Sequence, residues 1–263
     1  MTTAADRFIY RAYERRLLHG IRRGPVPDHV GVILDGNRRW AASMGYRSAA
    51  DGHRQGAAKI DELLGWCQEV EIGIVTLWLL STENLQRDPD ELSALLDIIV
   101  GKVEQIARDG HWKVRAVGAL ELLPEDSHRR IQKAVEASRS FREDRPEDPR
   151  PTLNFAVGYG GRREIVDAAR RLLESYSEQG LSLGEAAKRI STEEISSKLY
   201  TAGLPDPDLI IRTSGETRLS GFLLWQSAHS EYYFCDPYWP DFRRIDFLRA
   251  VRAYQQRQRR FGR

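Results

Sequence analysis

Two arginines and a serine follow an apolar run of the chain at a spacing that suits anion binding. The run 209–211 predicts a short buried strand, which places Arg212 at its carboxyl end, just before a turn of small residues with free backbone N–H groups. Arg218 and Ser220 follow within reach of that turn. Because a guanidinium presents a planar fork of donors that matches phosphate oxygens, two arginines on one loop predict a diphosphate site. For an isolated loop, the alternative is that both arginines pair with neighbouring carboxylates in surface salt bridges.

A second segment, GVILDGNRRW at 31–40, makes the anion site the favoured interpretation. The apolar run 30–34 predicts a central parallel strand, and ligands of open α/β sheets bind at the carboxyl ends of such strands. Asp35 would then stand among phosphate ligands, an arrangement that suits Mg²⁺, which is usually held by one or two carboxylates and substrate oxygens. Taken alone, the Asp-Gly pair could simply form a turn. The residues that follow are Gly36, Asn37, Arg38 and Arg39.

The rest of the chain alternates predicted strands and helices, which is typical of an α/β fold with an open, mostly parallel central sheet flanked by helices. Such a sheet would bring both anion-binding loops to one edge. Strands are predicted at 29–34, 72–80, 112–118, 152–157, 207–212 and 231–235. Helices are predicted at 56–70, 89–108, 125–139, 163–179, 192–202 and 245–257. The charged, proline-rich run at 141–151 predicts a surface loop rather than a domain boundary.

Composition limits the class of protein without identifying it. A chain of 263 residues is long enough for one large α/β domain, predicted at 25–263. A net charge of +2 and the lack of an aromatic-interleaved basic platform argue against nucleic-acid binding. Cys67 and Cys235 form neither a metal-spaced pair nor a disulfide framework, so a reducing, cytoplasmic location is expected. The most apolar stretch, 73–80, is too short to span a bilayer.

The first residues, 1–24, predict a separate basic amphipathic segment. They contain six arginines and two carboxylates. A basic amphipathic helix can lie on anionic lipid, so peripheral membrane contact is one interpretation. The helix could equally cap the domain or cover the mouth of its active site. Its predicted apolar face carries Phe8, Ile9, Ala12, Tyr13 and Leu17.

Five ordered motifs resemble those of the cis-prenyltransferases, also called Z-isoprenyl diphosphate synthases or the undecaprenyl diphosphate synthase family. The motifs are LDGNRRWA at 34–41, GHRQGA at 52–57, STEN at 81–84, NFAVGYGGRREI at 154–165 and the whole block 208–242. The resemblance implies an open sheet flanked by helices and a homodimer. It also implies Mg²⁺-dependent condensation of isopentenyl diphosphate with an allylic diphosphate, which forms a new Z double bond.

The resemblance also implies roles for particular residues. Asp35 would hold Mg²⁺, and Glu231 would complete its coordination from, or near, the partner subunit's side of the interface. The allylic diphosphate would be held by Gly36, Asn37, Arg38, Arg39, His53 and Arg87. Isopentenyl diphosphate would be held by Arg212, Arg218 and Ser220, and further substrate contacts are expected from Trp40, Ser81, Thr82, Glu83 and Leu219. Asn84, with Ser81 nearby, is the family's candidate for assisting proton removal, although a carboxamide is a poor base and the released diphosphate is a stronger acceptor.

Departures from the family pattern bear on product length. Leu79 stands where long-chain members commonly have a small residue, and Leu80 and Leu85 stand where they commonly have aromatic residues. Bulk on the wall of a closely packed pocket can stop chain growth. The block TLWLLSTENLQRDPDEL resembles that of actinobacterial short-chain members, which predicts a fifteen-carbon Z,E-farnesyl diphosphate made from geranyl diphosphate. His229 is a further departure, because the family usually has tyrosine there.

Other functions stay open at this point. A long-chain polyprenyl diphosphate synthase with the same chemistry differs only in the dimensions of its tunnel. A noncatalytic partner subunit would keep the fold but lose the Asp35 loop, which is present here. The glycines of GYGGRRE at 158–164 lack the third glycine of a dinucleotide fingerprint, so a nucleotide enzyme is weakly supported.

Overall fold

The computed structural model describes residues 4–140 and 149–257, with side chains from residue 12 onward and for Tyr10. The described part contains six strands: β1 (His29–Ile33), β2 (Ile74–Ser81), β3 (Lys113–Val117), β4 (Thr152–Tyr159), β5 (Leu209–Arg212) and β6 (Glu231–Phe234). They form one sheet in the order β3-β4-β2-β1-β5-β6, and every neighbouring pair is parallel. The predicted open α/β sheet is confirmed, and its six predicted strands agree with the observed ones to within two residues at each end.

The strand order places the anion-binding loops side by side. Ile33, at the end of β1, is level with Trp78 in β2 and with Arg212 at the end of β5. From β1 the chain moves to β2 on one side and later enters β5 on the other. Strand order therefore reverses at β1 and β5, which is where open α/β sheets bind ligands.

Helices cover the sheet in the described part of the chain. They are α1 (Ala4–Ile21), α2 (Asn37–Ser43), α3 (Ala49–Glu69), α4 (Pro89–Asp109), α5 (Glu125–Ser140), α6 (Gly161–Glu178), α7 (Leu183–Arg189), α8 (Thr192–Ser196) and α9 (Arg244–Gln256). Four short 3-10 segments lie at Glu83–Gln86, Leu120–Leu122, Gln226–His229 and Trp239–Asp241. No helix among the described residues is long and apolar enough to cross a bilayer.

Two helix predictions are wrong at their boundaries. Helix α3 begins at Ala49 rather than at residue 56, because its two early glycines face α2 instead of ending the helix. A Cβ atom on Gly52 would lie 2.1 Å from the backbone oxygen of Asn37. Helix α8 ends at Ser196 rather than at residue 202, and the N–H of Tyr200 donates to the Glu164 carboxylate at 2.9 Å. Helices α2 and α7 are additional to the predicted set.

The last turns of the amino-terminal helix pack on the domain, as in the interpretation that this helix caps it. Ile21, in the last turn of α1, is fully buried in the main apolar core, and Leu17 packs against that core. Arg244 of α9 binds Glu69 at 2.7 Å and Glu14 of α1 at 3.3 Å. The predicted apolar face also includes Phe8 and Ile9, whose side chains lie outside the described ones.

Candidate active site

A cavity of about 700 Å³ opens beside the carboxyl ends of β1, β2 and β5. Its lining contains a polar set, here called the charged end, and an apolar set, here called the apolar end. The charged end comprises Asp35, Gly36, Asn37, Arg38, Arg39, His53, Ser81, Asn84, Arg87, Arg212, Glu216, Arg218 and Ser220. The apolar end comprises Ile33, Leu34, Ala42, Trp78, Leu79, Leu80 and Leu95.

Asp35 and Arg212 form the centre of the charged end. Arg212 Nη2 donates to Asp35 Oδ2 at 2.7 Å, and Arg39 Nη2 donates to Asp35 Oδ1 at 3.1 Å. The Arg212 side chain is only 5% exposed, and its Nη1 donates to Ser220 Oγ at 2.9 Å. Burial favours the neutral form of Asp35, but hydrogen bonds from Arg212 and Ser214 and the charges of Arg212 and Arg39 outweigh it and lower its pKa. Asp35 is therefore an ionised carboxylate inside a cluster of cations.

The loops after β1 and β5 are fixed to each other through Thr213. Its hydroxyl accepts from Asp35 N at 3.0 Å and donates to Asp35 O at 2.7 Å. Gly36 has a φ of 105°, and a Cβ atom on it would lie 2.6 Å from the Tyr238 ring. Only glycine fits this turn, because a side chain would be both strained and blocked. The turn thus holds the Asp35 carboxylate against the end of β5.

The contacts of Glu216 help to decide whether Arg212 and Arg218, after β5, form surface salt bridges or are placed for a diphosphate. It pairs with Arg218 and with Arg39, the latter at 3.2 Å. Arg218 therefore does make a local salt bridge, and it is 65% exposed. Asp208 accepts from Asp28 N at 2.7 Å, just before β1. Arg212 pairs with Asp35, so the surface salt-bridge alternative is wrong for Arg212.

A second group of cations forms the opposite part of the charged end. Arg87 Nη1 lies 3.2 Å from Glu91 Oε1, and Arg38 Nε lies 3.5 Å from the same atom. Arg87 Nη2 donates to Asn84 Oδ1 at 3.0 Å. The carboxamide oxygen of Asn84 is thus engaged by a cation, which leaves it poorly suited to accept a proton.

Several polar atoms of the charged end are buried without a hydrogen-bond partner in the described structure. They include His53 Nε2, Asn37 Oδ1 and Arg212 Nε. Burial, reinforced by the positive charges of Arg87 and Arg38, lowers the pKa of His53 to about 4, so its imidazole is neutral at neutral pH. Buried polar groups are normally paired, and an unpaired group in a cavity indicates a place for a ligand.

The apolar end leads between α3 and α4. Trp78 stacks on Phe222 with ring centroids 5.3 Å apart, which fixes one wall. Leu79 and Leu95 line the main cavity and also a second, apolar cavity of about 40 Å³ behind it. Leu80, although it reaches the cavity, is only 1% exposed and belongs to the main core.

Some predicted residues do not reach the cavity wall in the described structure. Trp40 is buried and stacks on Tyr46, and Thr82 packs against Gly160. Leu219 belongs to a second apolar cluster with Phe222. The other predicted residues away from the wall are Glu83, at the start of a 3-10 segment, and Leu85, which packs against the main core.

Glu231 lies at the opposite end of the strands from Asp35. It begins β6 and is level with Leu209, the first residue of β5, whereas Asp35 follows the last residue of β1. Its carboxylate pairs with Arg257. Within one subunit the two carboxylates are not brought together. His229 is exposed at the end of a 3-10 segment and does not line the cavity.

The sequence analysis missed the residues that α4 contributes to the two cavities. Leu95, Ile98, Ile99 and Lys102 line the cavities from α4, at the helical spacing that ordinarily marks a core-facing stripe. Glu216 was considered only as a partner for surface salt bridges. A signal for the α4 residues was present in their periodicity, but periodicity alone does not separate a pocket wall from a core.

Chemically, this cavity suits a molecule with an anionic head and a hydrocarbon tail. Five arginines line it with two carboxylates, Asp35 and Glu216, and the apolar end adjoins them. Cations that are fixed by the fold can stabilise a departing anion without reorganising.

Comparisons with known proteins point in the same direction. The prenyltransferase family model, which describes undecaprenyl diphosphate synthases, matches residues 33–262. A (2Z,6E)-farnesyl diphosphate synthase of Mycobacterium tuberculosis is 54% identical over 97% of this chain and 96% of its own. One from Thermobifida fusca is 54% identical over 97% of both chains. The crystal structure of lavandulyl diphosphate synthase from Lavandula x intermedia, in complex with dimethylallyl diphosphate, is 31% identical. It has a TM-score of 0.80 and covers 90% of this chain and 99% of that one.

Proposed function

This chain is a cis-prenyltransferase of the undecaprenyl diphosphate synthase family, and we propose that it joins isopentenyl diphosphate to geranyl diphosphate to make (2Z,6E)-farnesyl diphosphate. The observation that carries the proposal is the two-ended cavity. Its arginines match two diphosphate groups, and its apolar end matches a prenyl tail. Relatives that share about half of this chain's residues are named for the fifteen-carbon product.

The two groups of cations suit two different diphosphates. Arg38 and Arg87 pair with Glu91 of α4 and stand with Asn37 and His53 on the side that adjoins α3 and α4, so we assign this group to the allylic substrate, whose tail would follow the apolar end. Gly36 and Arg39, which lie between this group and the loop after β5, are assigned to the same diphosphate. The second group lies on the β5 side and binds isopentenyl diphosphate. It consists of Arg212, Arg218 and Ser220, of which Arg212 and Ser220 are already hydrogen-bonded to each other.

The charged end fits a Mg²⁺ ion. Asp35 is ionised and lies among arginines placed for phosphate oxygens. The described residues contain no cluster of three or more His, Cys, Asp or Glu side chains able to hold a metal, so within one subunit Asp35 and substrate oxygens would hold the ion. That is a usual arrangement for Mg²⁺. When bound, the ion would neutralise charge that develops on the leaving diphosphate.

The protein's own residues perform the rest of the reaction. The guanidinium groups bind and orient both diphosphates, and those of Arg38, Arg39 and Arg87 stabilise the negative charge that grows as the allylic carbon–oxygen bond breaks. The proton lost from the extended chain passes to the released diphosphate, because Asn84 Oδ1 is held by Arg87. Asn84 therefore acts by positioning Arg87 rather than as a base.

Leu79 limits the length of the product. It lines both the main cavity and the 40 Å³ cavity behind it, as Leu34 and Leu95 also do, and a tail that grows past fifteen carbons would meet its side chain. Leu80 supports this wall from the core, and Leu85 packs behind it without lining it.

Product analysis tests the proposal and separates it from a long-chain synthase. The purified protein is incubated with Mg²⁺, isopentenyl diphosphate and either geranyl or farnesyl diphosphate, and products are identified by mass spectrometry against geometric standards. A fifteen-carbon product with a new Z bond is expected from geranyl diphosphate. A ladder of long products would assign the chain to the long-chain enzymes, and no product would favour a noncatalytic subunit.

We also propose a homodimer in which Glu231 serves the Asp35 site of the partner subunit. Within one chain Glu231 does not meet Asp35, as described above, and large apolar side chains are exposed on α6 and near its first turn. Val166 and Leu173 lie on α6, and Leu122 and Leu224 belong to the segments that contact its start.

Subunit complementation tests the shared site. Asp35→Ala and Glu231→Ala chains are each expected to be nearly inactive as homodimers. After subunit exchange, the mixed dimer has one site with both carboxylates if Glu231 acts across the interface, so activity should return. If both carboxylates serve within one subunit, mixing restores nothing.

We propose that the enzyme is cytoplasmic and that its basic amino-terminal segment can contact a membrane surface peripherally. The last turns of α1 use their apolar side chains against the protein's own core, so contact with lipid would rely on exposed arginines such as Arg15 and Arg16. Sedimentation with anionic vesicles at low and high salt tests this, and binding that is lost at high salt is the expected result.

A further inference from the structure

The apolar cavity behind Leu79 ends at a charged residue. Lys102 of α4 lines this cavity, yet its side chain is only 9% exposed. Its Nζ donates to Asp61 Oδ2 of α3 at 2.9 Å and to Gln105 Oε1 at 2.8 Å. The methylene stem therefore forms part of the cavity wall, while the ammonium group ties α3 to α4.

The ion pair between Lys102 and Asp61 lies beside the cavity that a longer prenyl tail would have to enter. The cavity volume of about 40 Å³ is small beside the 700 Å³ of the main cavity, so a five-carbon unit has little room there unless the cavity walls move. Ile60 and Ile99 complete the wall from α3 and α4. Separation of these helices would stretch the ion pair and expose the Lys102 ammonium to hydrocarbon, which solvates charge poorly.

We propose that the Lys102–Asp61 ion pair closes the far end of the prenyl tunnel and is a second determinant of product length behind Leu79. This inference rests on the proposed prenyl transfer. In the wild-type protein the pair is not reached, because Leu79 stops the tail first. Once Leu79 is shortened, the ion pair becomes the barrier.

The decisive comparison is between Leu79→Ala and the double variant Leu79→Ala/Lys102→Met. Methionine keeps an unbranched chain of similar length but removes the ammonium, and it leaves behind an Asp61 carboxylate that is 48% exposed to water. Products from geranyl diphosphate and excess isopentenyl diphosphate are measured by mass spectrometry. The double variant should make a product longer than that of Leu79→Ala by at least one five-carbon unit.

A matched control tests whether the loss of any interhelical ion pair on α4 lengthens the product. Glu104, on the same helix, forms an interhelical pair with Arg130 of α5 at 2.9 Å and does not line either cavity. Leu79→Ala/Glu104→Gln should give the same products as Leu79→Ala.

The outcomes separate this inference from the proposed function. A fifteen-carbon product from the wild-type protein establishes the function in the same experiment. Identical product distributions from Leu79→Ala and Leu79→Ala/Lys102→Met would overturn the inference, as would equal lengthening by the Glu104→Gln control. Asp61→Asn in the Leu79→Ala background gives a second measurement, since it weakens the tie and leaves the lysine in place; it too should lengthen the product.

Discussion

The charged end and the apolar end of the cavity are carried by different kinds of backbone. The charged end stands largely on loops and short turns after β1, β2 and β5, and hydrogen bonds such as those of Thr213 hold these loops in place. The apolar end and the 40 Å³ cavity behind it stand mainly on β2, α3 and α4, and several of their side chains also belong to the main core. The difference predicts that rate and product length are separable, because different elements carry most of the two sets of residues.

Asp35→Ala should produce the largest effect and should confine it to rate. Loss of the carboxylate removes the proposed Mg²⁺ ligand and leaves the buried Arg212 without its counter-ion. We expect kcat/KM to fall about 10²–10³-fold, as for removal of other preorganised charge-stabilising groups. Steady-state kinetics measure this, with Asp35→Asn as an isosteric control, and any residual product should still have fifteen carbons. A longer product would show that the two ends are not separable.

Arg212→Lys should give a smaller loss of rate. Lysine keeps the charge but cannot serve Asp35 and Ser220 together through a planar fork. Loss of one charge-assisted hydrogen bond, about 1.5–3 kcal/mol, corresponds to a roughly 10–100-fold lower kcat/KM. The KM for isopentenyl diphosphate should rise more than that for geranyl diphosphate. A larger rise in the KM for geranyl diphosphate would contradict the assignment of Arg212 to isopentenyl diphosphate.

His53 should make the free energy of unfolding depend on pH. Its folded pKa of about 4 lies below the ordinary value of 6.5, so the unfolded chain binds more protons between these values. Stability should therefore fall as the pH decreases from about 6.5 to about 4, by on the order of 2 kcal/mol from this residue. Urea unfolding at pH 7 and pH 5 measures the slope, which should be smaller in His53→Gln. Equal slopes in both proteins would show that His53 is not the group responsible.

Leu79→Ala should have the smallest effect on rate and a clear effect on product. The first condensation takes place at the charged end, so its rate should change only a few-fold. The shortened side chain opens the way to the cavity behind it, and products longer than fifteen carbons are expected by mass spectrometry. An unchanged fifteen-carbon product would mean that Leu79 does not limit growth.

The contrast between the charged end and the apolar end also explains which parts of the site could be predicted from the sequence. The strands and the Asp35 and Arg212 loops carry local signals, because apolar runs that end in turn residues and arginines can be recognised over ten residues. The Lys102 position carries no such signal, since its meaning depends on Asp61, 41 residues away on another helix. Glu231 shows the opposite limit. Its motif singles it out, but sequence alone does not say whether it would serve the Asp35 site of its own subunit or of a partner.

The start of α3 was mispredicted because glycine is a poor helix former, by about 1 kcal/mol relative to alanine. Gly52 and Gly56 nonetheless lie within the helix, because α2 approaches them too closely for any side chain. The capping box at Ser182 and Glu185 that begins α7 was a readable signal that the sequence analysis did not use.

These two glycines also determine how the protein can be engineered. Replacing a helical glycine by alanine ordinarily raises stability by about 0.5–1 kcal/mol, and this should hold for Gly65 in α3 and Gly101 in α4, whose surroundings are open. At Gly56 the same exchange would place a methyl group 2.1 Å from Asn37 Oδ1. A thermostabilising library that treats all helical glycines alike would therefore stabilise the enzyme at Gly65 and Gly101 and damage it at Gly52 and Gly56.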